Sequence, residues 1–117
     1  MAILAQLVDD VVVNKSELTK ERFIIGRHPD SDIQIKEISV SGEHALITRE
    51  KSEFFKDAVE YHIEDQGSTN GTFINDEKIS GRRRLLNNDI VRVAWNDFKF
   101  IDDTESTLEK TAHILED

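Results

Sequence analysis

Hydrophobic and polar residues alternate over many short stretches of this chain, which is typical of β-strands with one buried face. Phe98 and Phe100 fall on one face of such a stretch, while Lys99 falls on the other. Turn-forming residues separate the runs, as in all-β folds. The runs are ILAQLV, VVV, RFIIG, DIQI, HALITR, EYHIED, GTFIN, DIVRV and DFKFI. The pattern predicts an all-β sandwich or barrel.

The connections between these runs carry recognisable turn signals. Asp9-Asp10 is one candidate turn, and Asn70-Gly71 is the strongest short hairpin signal that a sequence offers. The segment 50–60, EKSEFFKDAVE, is longer than a tight hairpin needs, and its charges predict a solvated connection. Its Phe54 and Phe55 either cap the end of a sheet or contact a partner.

A helix-like pattern occurs only in the C-terminal tail. Ser106 and Glu109 have the spacing of a helix N-terminal capping box. The apolar residues on one face of this helix would be Leu108, Ala112 and Leu115. We therefore expect residues 1–103 to form the β-domain and residues 104–117 to form a short helix-like tail. A helix this short is marginal alone, so three alternatives stay open: it docks on the sandwich, joins another chain or frays.

Composition and charge narrow the possible functions. The chain has 117 residues, 38% of them hydrophobic and 33% charged, which fits one soluble domain. Its formal net charge of −9 disfavours general binding to nucleic acids or anionic membranes, so any anion site must be local. The chain has no cysteine, and its N-terminal stretch MAILAQLVDD resembles neither a signal peptide nor a membrane span. We expect a cytoplasmic protein.

The first candidate site residue is an arginine that directly follows a predicted strand. Gly26 ends the strand RFIIG and permits close approach of another backbone, and Arg27 comes next. A guanidinium held at the end of a strand can give two parallel hydrogen bonds to a phosphate or a carboxylate. The alternative is an ordinary surface arginine. His28 and the neighbouring aspartates form too thin a ligand set to predict a metal, and we expect neither metal nor cofactor.

A serine and a histidine lie close together in the stretch ISVSGEHALI. Ser41 and His44 are three residues apart, so in an extended chain their side chains point to opposite faces and do not form a catalytic pair. We expect a non-catalytic role, with His44 fixing a loop by hydrogen bonds and Ser41 offering its hydroxyl to an anion. Gly42 exposes a backbone N–H with no side chain in the way.

The loop GSTNGT, residues 67–72, contains no group that titrates near neutral pH. Gly67 and Gly71 allow the chain to bend, while Asn70 tolerates a left-handed conformation. Thr69 and its neighbouring serine supply hydroxyls. Such a loop can present donors to an oxyanion or to an extended peptide. The alternative for this loop alone is a hairpin turn with polar side chains.

Two further segments are of structural interest. Asn88-Asp89 predicts a turn before a buried strand. The run Arg82-Arg83-Arg84 is a local basic patch, either a solvated edge or a surface that steers anions.

In their order and spacing, these residues together resemble the forkhead-associated (FHA) domain, a module that recognises phosphothreonine peptides. The resemblance covers about residues 3–101. It implies a sandwich of two twisted sheets, here of about eleven short strands, with the binding loops gathered at one end. The motifs that carry it are Gly26-Arg27, Ser41 with His44, Gly67 to Thr72, and Asn88-Asp89.

The resemblance implies a role for each matching residue. Arg27 pairs with the phosphate, Ser41 donates to a phosphate oxygen, and Thr69 helps to form the pocket for the threonine methyl group. Asn70 hydrogen-bonds the main chain of the ligand. The architectural residues that brace the loops are Gly26, His44, Gly67 and Gly71.

The sequence departs from the common family pattern at two positions. Gly42 stands where many members have a side chain that also reaches the phosphate, so we expect any contact there to come from the backbone. Asn88 replaces a glycine, and asparagine tolerates the same turn.

The resemblance implies a non-catalytic module for signalling. Its partner is a protein phosphorylated on threonine by an upstream Ser/Thr kinase. The alternative is a phospho-independent docking module that uses the sheet face, Phe54-Phe55 or the tail.

Overall fold

The computed structural model describes residues 2–55 and 58–102, which form an all-β fold with no helix in that part of the chain. The predicted helix-like tail lies outside the described residues. The strands are β1 Ala2–Val8, β2 Val11–Glu17, β3 Arg22–Gly26, β4 Ile33–Gln34, β5 Ala45–Lys51, β6 Val59–Asp65, β7 Thr72–Ile74, β8 Glu77–Lys78, β9 Arg82–Leu85, β10 Ile90–Val93 and β11 Asn96–Asp102.

The strands form two sheets, as in a β-sandwich. One sheet has six strands in the order β2-β1-β11-β10-β7-β8, and the other has five in the order β4-β3-β5-β6-β9. All nine apolar runs of the sequence contribute strands. β8 and β9 are additional. The basic run Arg82-Arg83-Arg84 lies exposed in β9, at the edge of the five-stranded sheet. This position agrees with the interpretation of the run as a solvated edge.

Side chains that alternate along the strands fill the core between the sheets. Phe98 and Phe100 in β11 are 1% and 0% exposed, and Tyr61 and Ile63 in β6 are 3% and 0% exposed. The rings of Tyr61 and Phe100, one from each sheet, lie 5.4 Å apart between centroids in a tilted arrangement. This contact joins the two sheets at the centre of the sandwich.

Residues with positive φ close the turns. Asp9 and Asp10 have φ of 52° and 65°, the combination of a two-residue hairpin turn between β1 and β2. Asn88 has a φ of 75°, so asparagine does adopt the left-handed conformation expected before Asp89. The hairpin interpretation of Asn70-Gly71 is wrong, because β6 and β7 belong to different sheets and the loop between them crosses from one sheet to the other.

The strand directions gather several connections at one end of the sandwich. β3 and β6 end there and β5 and β7 begin there, since β5 is antiparallel to both β3 and β6. β10 also ends there, because Val93 pairs with Thr72 at the start of β7. The loops 27–32, 35–44 and 66–71 and the β10–β11 turn therefore lie together. No helix in the described ranges is long and apolar enough to cross a membrane.

Candidate functional site

A close approach of two backbones builds the first part of the site. The backbone N–H of Arg27 donates to the carbonyl oxygen of Ser41 (2.9 Å), and that of His28 donates to Gly42 (3.1 Å). A Cβ atom on Gly26 would lie 2.1 Å from the carbonyl oxygen of Gly42, far inside van der Waals contact. Glycine is thus needed at position 26 because the loop 35–44 packs directly against the end of β3.

The side chain of Arg27 projects from this junction into solvent. Gln34 donates its side-chain N–H to the carbonyl oxygen of Arg27 (3.2 Å), which fixes the backbone at the root of the side chain. The guanidinium itself has neither a hydrogen-bond partner nor an ion-pair partner within residues 2–55 and 58–102. It retains all five N–H donors for an external anion.

His44 connects the loop 35–44 to the loop 66–71 from behind. Its ring is fully buried, its Nδ1 accepts the backbone N–H of Ser41 (3.1 Å), and its Nε2 lies 2.7 Å from the carbonyl oxygen of Gly71. An amide N–H can only donate and a carbonyl can only accept, so the ring hydrogen lies on Nε2. Both nitrogens are therefore engaged with the backbone, and the ring is not placed to act as a base for the Ser41 hydroxyl.

A second set of hydrogen bonds joins the same two loops at the surface. The backbone N–H of Thr69 donates to Oγ of Ser41 (3.2 Å), and Nδ2 of Asn70 donates to the carbonyl oxygen of Ser39 (2.7 Å). Oγ of Ser41 accepts in this bond, so its own hydrogen remains to be donated. Thr69 and Asn70 are exposed, and Ser41 is half-buried at the junction.

The carboxylate of Asp65, a residue that the sequence analysis missed, organises the loop 66–71. One oxygen accepts the backbone N–H groups of Gly67 and Ser68, at 3.1 and 3.0 Å. The other accepts the hydroxyls of Ser68 and Thr72, and Oγ of Ser68 in turn accepts the backbone N–H of Gly71 (3.0 Å). An aspartate that bonds the backbone two residues on is a known turn device, so the spacing Asp65-x-Gly67 was the available signal.

The environment of Asp65 favours its ionised form. Burial alone would raise the pKa of its carboxyl group, but hydrogen bonds from Ser68 and Thr72 and from the backbone of Ser68 hold the pKa below its usual value. The loop therefore keeps a charged acceptor at its base under neutral conditions.

The two glycines of this loop have φ values that a side chain would make costly. Gly67 has a φ of 75° and Gly71 a φ of 84°. At Gly71, a Cβ would also lie 3.1 Å from the side chain of Lys78 and 3.2 Å from the ring of Phe73. Gly71 therefore serves both as a bend and as a close contact, which explains its burial.

All predicted site residues meet at one end of the sandwich. Arg27, Ser41 and Thr69 follow one another across the junction of three loops, with Gly42 beside them and Asn70 next in the chain. Phe54 and Phe55 do not belong to this site: they lie 81% and 60% exposed between β5 and β6, at the opposite end.

Fold and site together define a β-sandwich that presents a preorganised, polar, locally cationic surface on its loops. The family model of the FHA domain matches residues 23–94, more than half of the 117 residues. The chain belongs to the FHA domain family.

Two of the curated relatives have regulatory names. The chain is 34% identical over 90 residues to the glycogen accumulation regulator GarA of Mycobacterium tuberculosis, covering 71% of this chain and 51% of GarA. It is 42% identical over 60 residues to the oxoglutarate dehydrogenase inhibitor of Corynebacterium jeikeium, covering 51% and 37%. The chain thus spans about half or less of the length of these relatives.

A solved structure of Mycobacterium tuberculosis EmbR in complex with a low-affinity phosphopeptide is also similar. The TM-score is 0.72 at 27% identity, and the match covers 86% of this chain and 24% of the EmbR chain.

Proposed function

We propose that this chain binds threonine-phosphorylated segments of partner proteins and does so without catalysis. The observation that carries the proposal is the guanidinium of Arg27, which has no partner within residues 2–55 and 58–102, on a residue whose backbone is bonded to Ser41 and on loops that hydrogen bonds already hold in place. The phosphate of phosphothreonine carries close to two negative charges at neutral pH and has three strong acceptor oxygens. The site offers hydrogen-bond donors and the cation of Arg27, which complement that group.

The energetics fit a reversible interaction. Hydrogen bonds to charged groups contribute roughly 1.5–3 kcal/mol each, and a few of them must offset the cost of ordering the peptide. The site avoids part of that cost because His44 and Asp65 fix the loops before the ligand arrives. The net charge of −9 opposes acidic peptides, most strongly at low salt.

The proposal assigns a contact with the ligand to each site residue. Arg27 and Ser41 contact the phosphate, a backbone group of Gly42 adds to them, and Thr69 contacts the threonine methyl group. Asn70 binds the main chain of the peptide through Oδ1 and its remaining N–H, since the other N–H is bonded to Ser39. The similarity to EmbR, solved with a phosphopeptide, supports phosphopeptide binding as such.

The wider context of the module is part of the proposal. Residues 1–103 form the binding domain and 104–117 a separate tail. The domain acts in the cytoplasm, downstream of a Ser/Thr kinase that phosphorylates the partner. The names of GarA and of the oxoglutarate dehydrogenase inhibitor support a regulatory role that works by binding.

Matched peptides test the proposal by isothermal titration calorimetry. A phosphothreonine peptide selected from an oriented library should bind, its unphosphorylated form should not bind measurably, and its phosphoserine form should bind about fourfold more weakly. The last figure reflects the loss of one buried methyl group, about 0.8 kcal/mol. Equal binding of the phosphorylated and unphosphorylated peptides would favour the phospho-independent docking alternative.

A further inference from the structure

A large aromatic side chain stands exposed at the binding end of the sandwich. Trp95, the single tryptophan of the chain, is 74% exposed in the turn between β10 and β11, while Val93 and Ala94 before it are 0% and 1% exposed. The chain thus buries Val93 and Ala94 and exposes the much larger side chain of Trp95 to solvent. Tryptophan is among the residues that contribute most to binding when a partner covers them.

Direct contacts place this turn against the loop 66–71. The backbone N–H of Ala94 donates to the carbonyl oxygen of Gly71 (3.3 Å), the same oxygen that His44 contacts. Thr69, in that loop, is bonded to Oγ of Ser41. The path from Ser41 to Trp95 through these bonds is at most about 20 Å, a distance that roughly six extended peptide residues span.

The turn holds Trp95 in a defined position. Ala94 has a φ of 55°, in the left-handed region, and Val93 pairs with Asn96 across the turn. The side chain of Asn96 also donates to the carbonyl oxygen of Val93 (3.3 Å). A tryptophan on a fixed backbone has few rotatable bonds to immobilise, so little conformational entropy is lost when a ligand covers it.

The surroundings of Trp95 favour an apolar ligand group. Leu7 of β1 pairs with Asp97 of β11, which brings the next residue, Val8, to the same end as the β10–β11 turn. Val8 pairs with Val11 of β2, and these two valines are 52% and 61% exposed. Arg92, a cation of this region, is already paired with Asp97 (3.0 Å) and so does not offer a free charge to an anion.

We propose that Trp95 contacts a large apolar side chain of the bound peptide. The ligand class is then a phosphothreonine segment with Leu, Ile, Met or Phe within about six residues of the phosphothreonine. This inference rests on the proposed function, to which it adds a specificity determinant. Trp95 acts on the choice of peptide and leaves the recognition of phosphate to Arg27.

An oriented phosphothreonine peptide library, degenerate at six positions on each side, tests the inference. The wild-type chain should select large apolar residues at one position, and Trp95→Ala should lose that selection while still requiring the phosphate. Phe54→Ala is the matched control, because Phe54 is an 81% exposed aromatic at the opposite end. It should leave the selection unchanged.

A double-mutant cycle with one selected peptide makes the test quantitative. Replacing the apolar peptide residue by alanine should weaken wild-type binding about tenfold and should leave binding to Trp95→Ala unchanged. Trp95→Phe should retain part of the effect. Since the side chain is exposed, the unfolding midpoint of each variant should match that of the wild type, which the same samples can verify.

Intrinsic fluorescence gives an independent measurement, because all tryptophan emission of the chain comes from Trp95. A selected peptide without tryptophan should shift the emission to shorter wavelength and reduce quenching by acrylamide. Unchanged emission at saturation overturns the inference, as does apolar selection that survives in Trp95→Ala or a selection for Lys or Arg. In those cases phosphate-dependent binding still stands, whereas a wild-type chain that binds no phosphopeptide overturns the proposed function itself.

Discussion

Arginine side chains in two regions of the molecule differ in whether carboxylates of the protein already pair with them. In β9, Arg83 pairs with Glu77 (2.9 Å), Arg84 approaches Glu60 (3.9 Å), and Arg82 pairs with Glu50. These side chains lie on a mixed, self-neutralising surface. At the binding end, Arg27 has no partner within the described ranges.

The cavities of the molecule support the same distinction. A cavity of about 190 Å³ lies beside β5, β6 and the 52–58 connection, and its charged lining includes Glu50, Glu60 and Arg82. Arg82 is already paired with Glu50, so an anion that binds to Arg82 would have to displace this pair. The loops around Arg27 leave the donors of its guanidinium without a partner among the described residues. We therefore base the proposed anion site on fixed donors without a partner in the described ranges, and not on the size of a cavity.

The largest expected effect comes from removing Arg27, the cation without a partner among the described residues. Arg27→Ala should weaken binding of a phosphothreonine peptide about hundredfold, because two charge-assisted hydrogen bonds at roughly 1.5–3 kcal/mol each are lost, and part of this is regained from water. Arg84→Ala, which removes a paired arginine of the other region, is the control and should change affinity less than twofold. Titration calorimetry measures both. Similar losses of peptide affinity in the two variants would show that Arg27 and the paired arginines do not differ in phosphate binding.

Removing the buried ring of His44, which connects the loops 35–44 and 66–71, should have the next largest effect. His44→Ala leaves a cavity and two unpaired backbone groups, so the free energy of unfolding should fall by about 3 kcal/mol. Peptide affinity should fall as well, since Ser41 and Gly71 lose their common support. Urea unfolding of this variant beside His28→Ala, whose side chain is 58% exposed, separates a buried bridge from a surface histidine. Equal stability of the two variants would contradict the role assigned to His44.

The carboxylate of Asp65, which accepts hydrogen bonds from the loop 66–71, predicts a pH dependence of stability. The pKa of Asp65 is lowered in the folded chain, so its contribution to stability is present above the ordinary carboxyl pKa and is lost as the pH falls through the folded value. Asp65→Asn should reduce the free energy of unfolding by about 1–2 kcal/mol at neutral pH and flatten its decrease in acid.

Unfolding curves between about pH 3 and 7 measure this effect. Asp30→Asn, with its side chain 92% exposed, is the control and should keep the wild-type profile. A profile of Asp65→Asn that parallels the wild type would show that the carboxylate does not hold the loop by its charge.

The smallest expected effect is a gain. A Cβ on Gly42 would meet no atom within 4 Å, and its φ lies outside the left-handed region, so a side chain fits there without strain. Gly42→Arg should add a second cation beside Ser41 and strengthen phosphopeptide binding about fivefold, or about 1 kcal/mol. Gly42→Gln, of similar length but neutral, should gain less. If both variants bind as the wild type does, position 42 does not face the phosphate.

The sequence predicted the interior of the sheets better than their edges. Strands with a buried face, such as β6 and β11, carry period-two alternation that burial imposes. β8 has two exposed residues, and β9 exposes Arg82 to Arg84 and buries only Leu85, so neither has an alternation to detect. Edge strands of this kind are formed by pairing with neighbours, which a local pattern does not contain.

The site was predictable as a set of residues but not as a geometry. The motifs placed Gly26 at a close approach, yet its partner, the carbonyl oxygen of Gly42, is known only from the fold. Asn70-Gly71 has the local chemistry of a hairpin, and only the sheet order shows that its loop crosses between sheets. Asp65 was overlooked because its role lies in bonds to the following turn rather than in a motif of its own.

Mapping the amide chemical shifts of the ¹⁵N-labelled chain during titration with a phosphothreonine peptide tests the location of the site most directly. The account predicts the largest changes in residues 26–28, 39–44 and 66–71, with little change in 58–62 and 82–84. Large changes confined to 58–62 and 82–84, with the three loops unaffected, would contradict it.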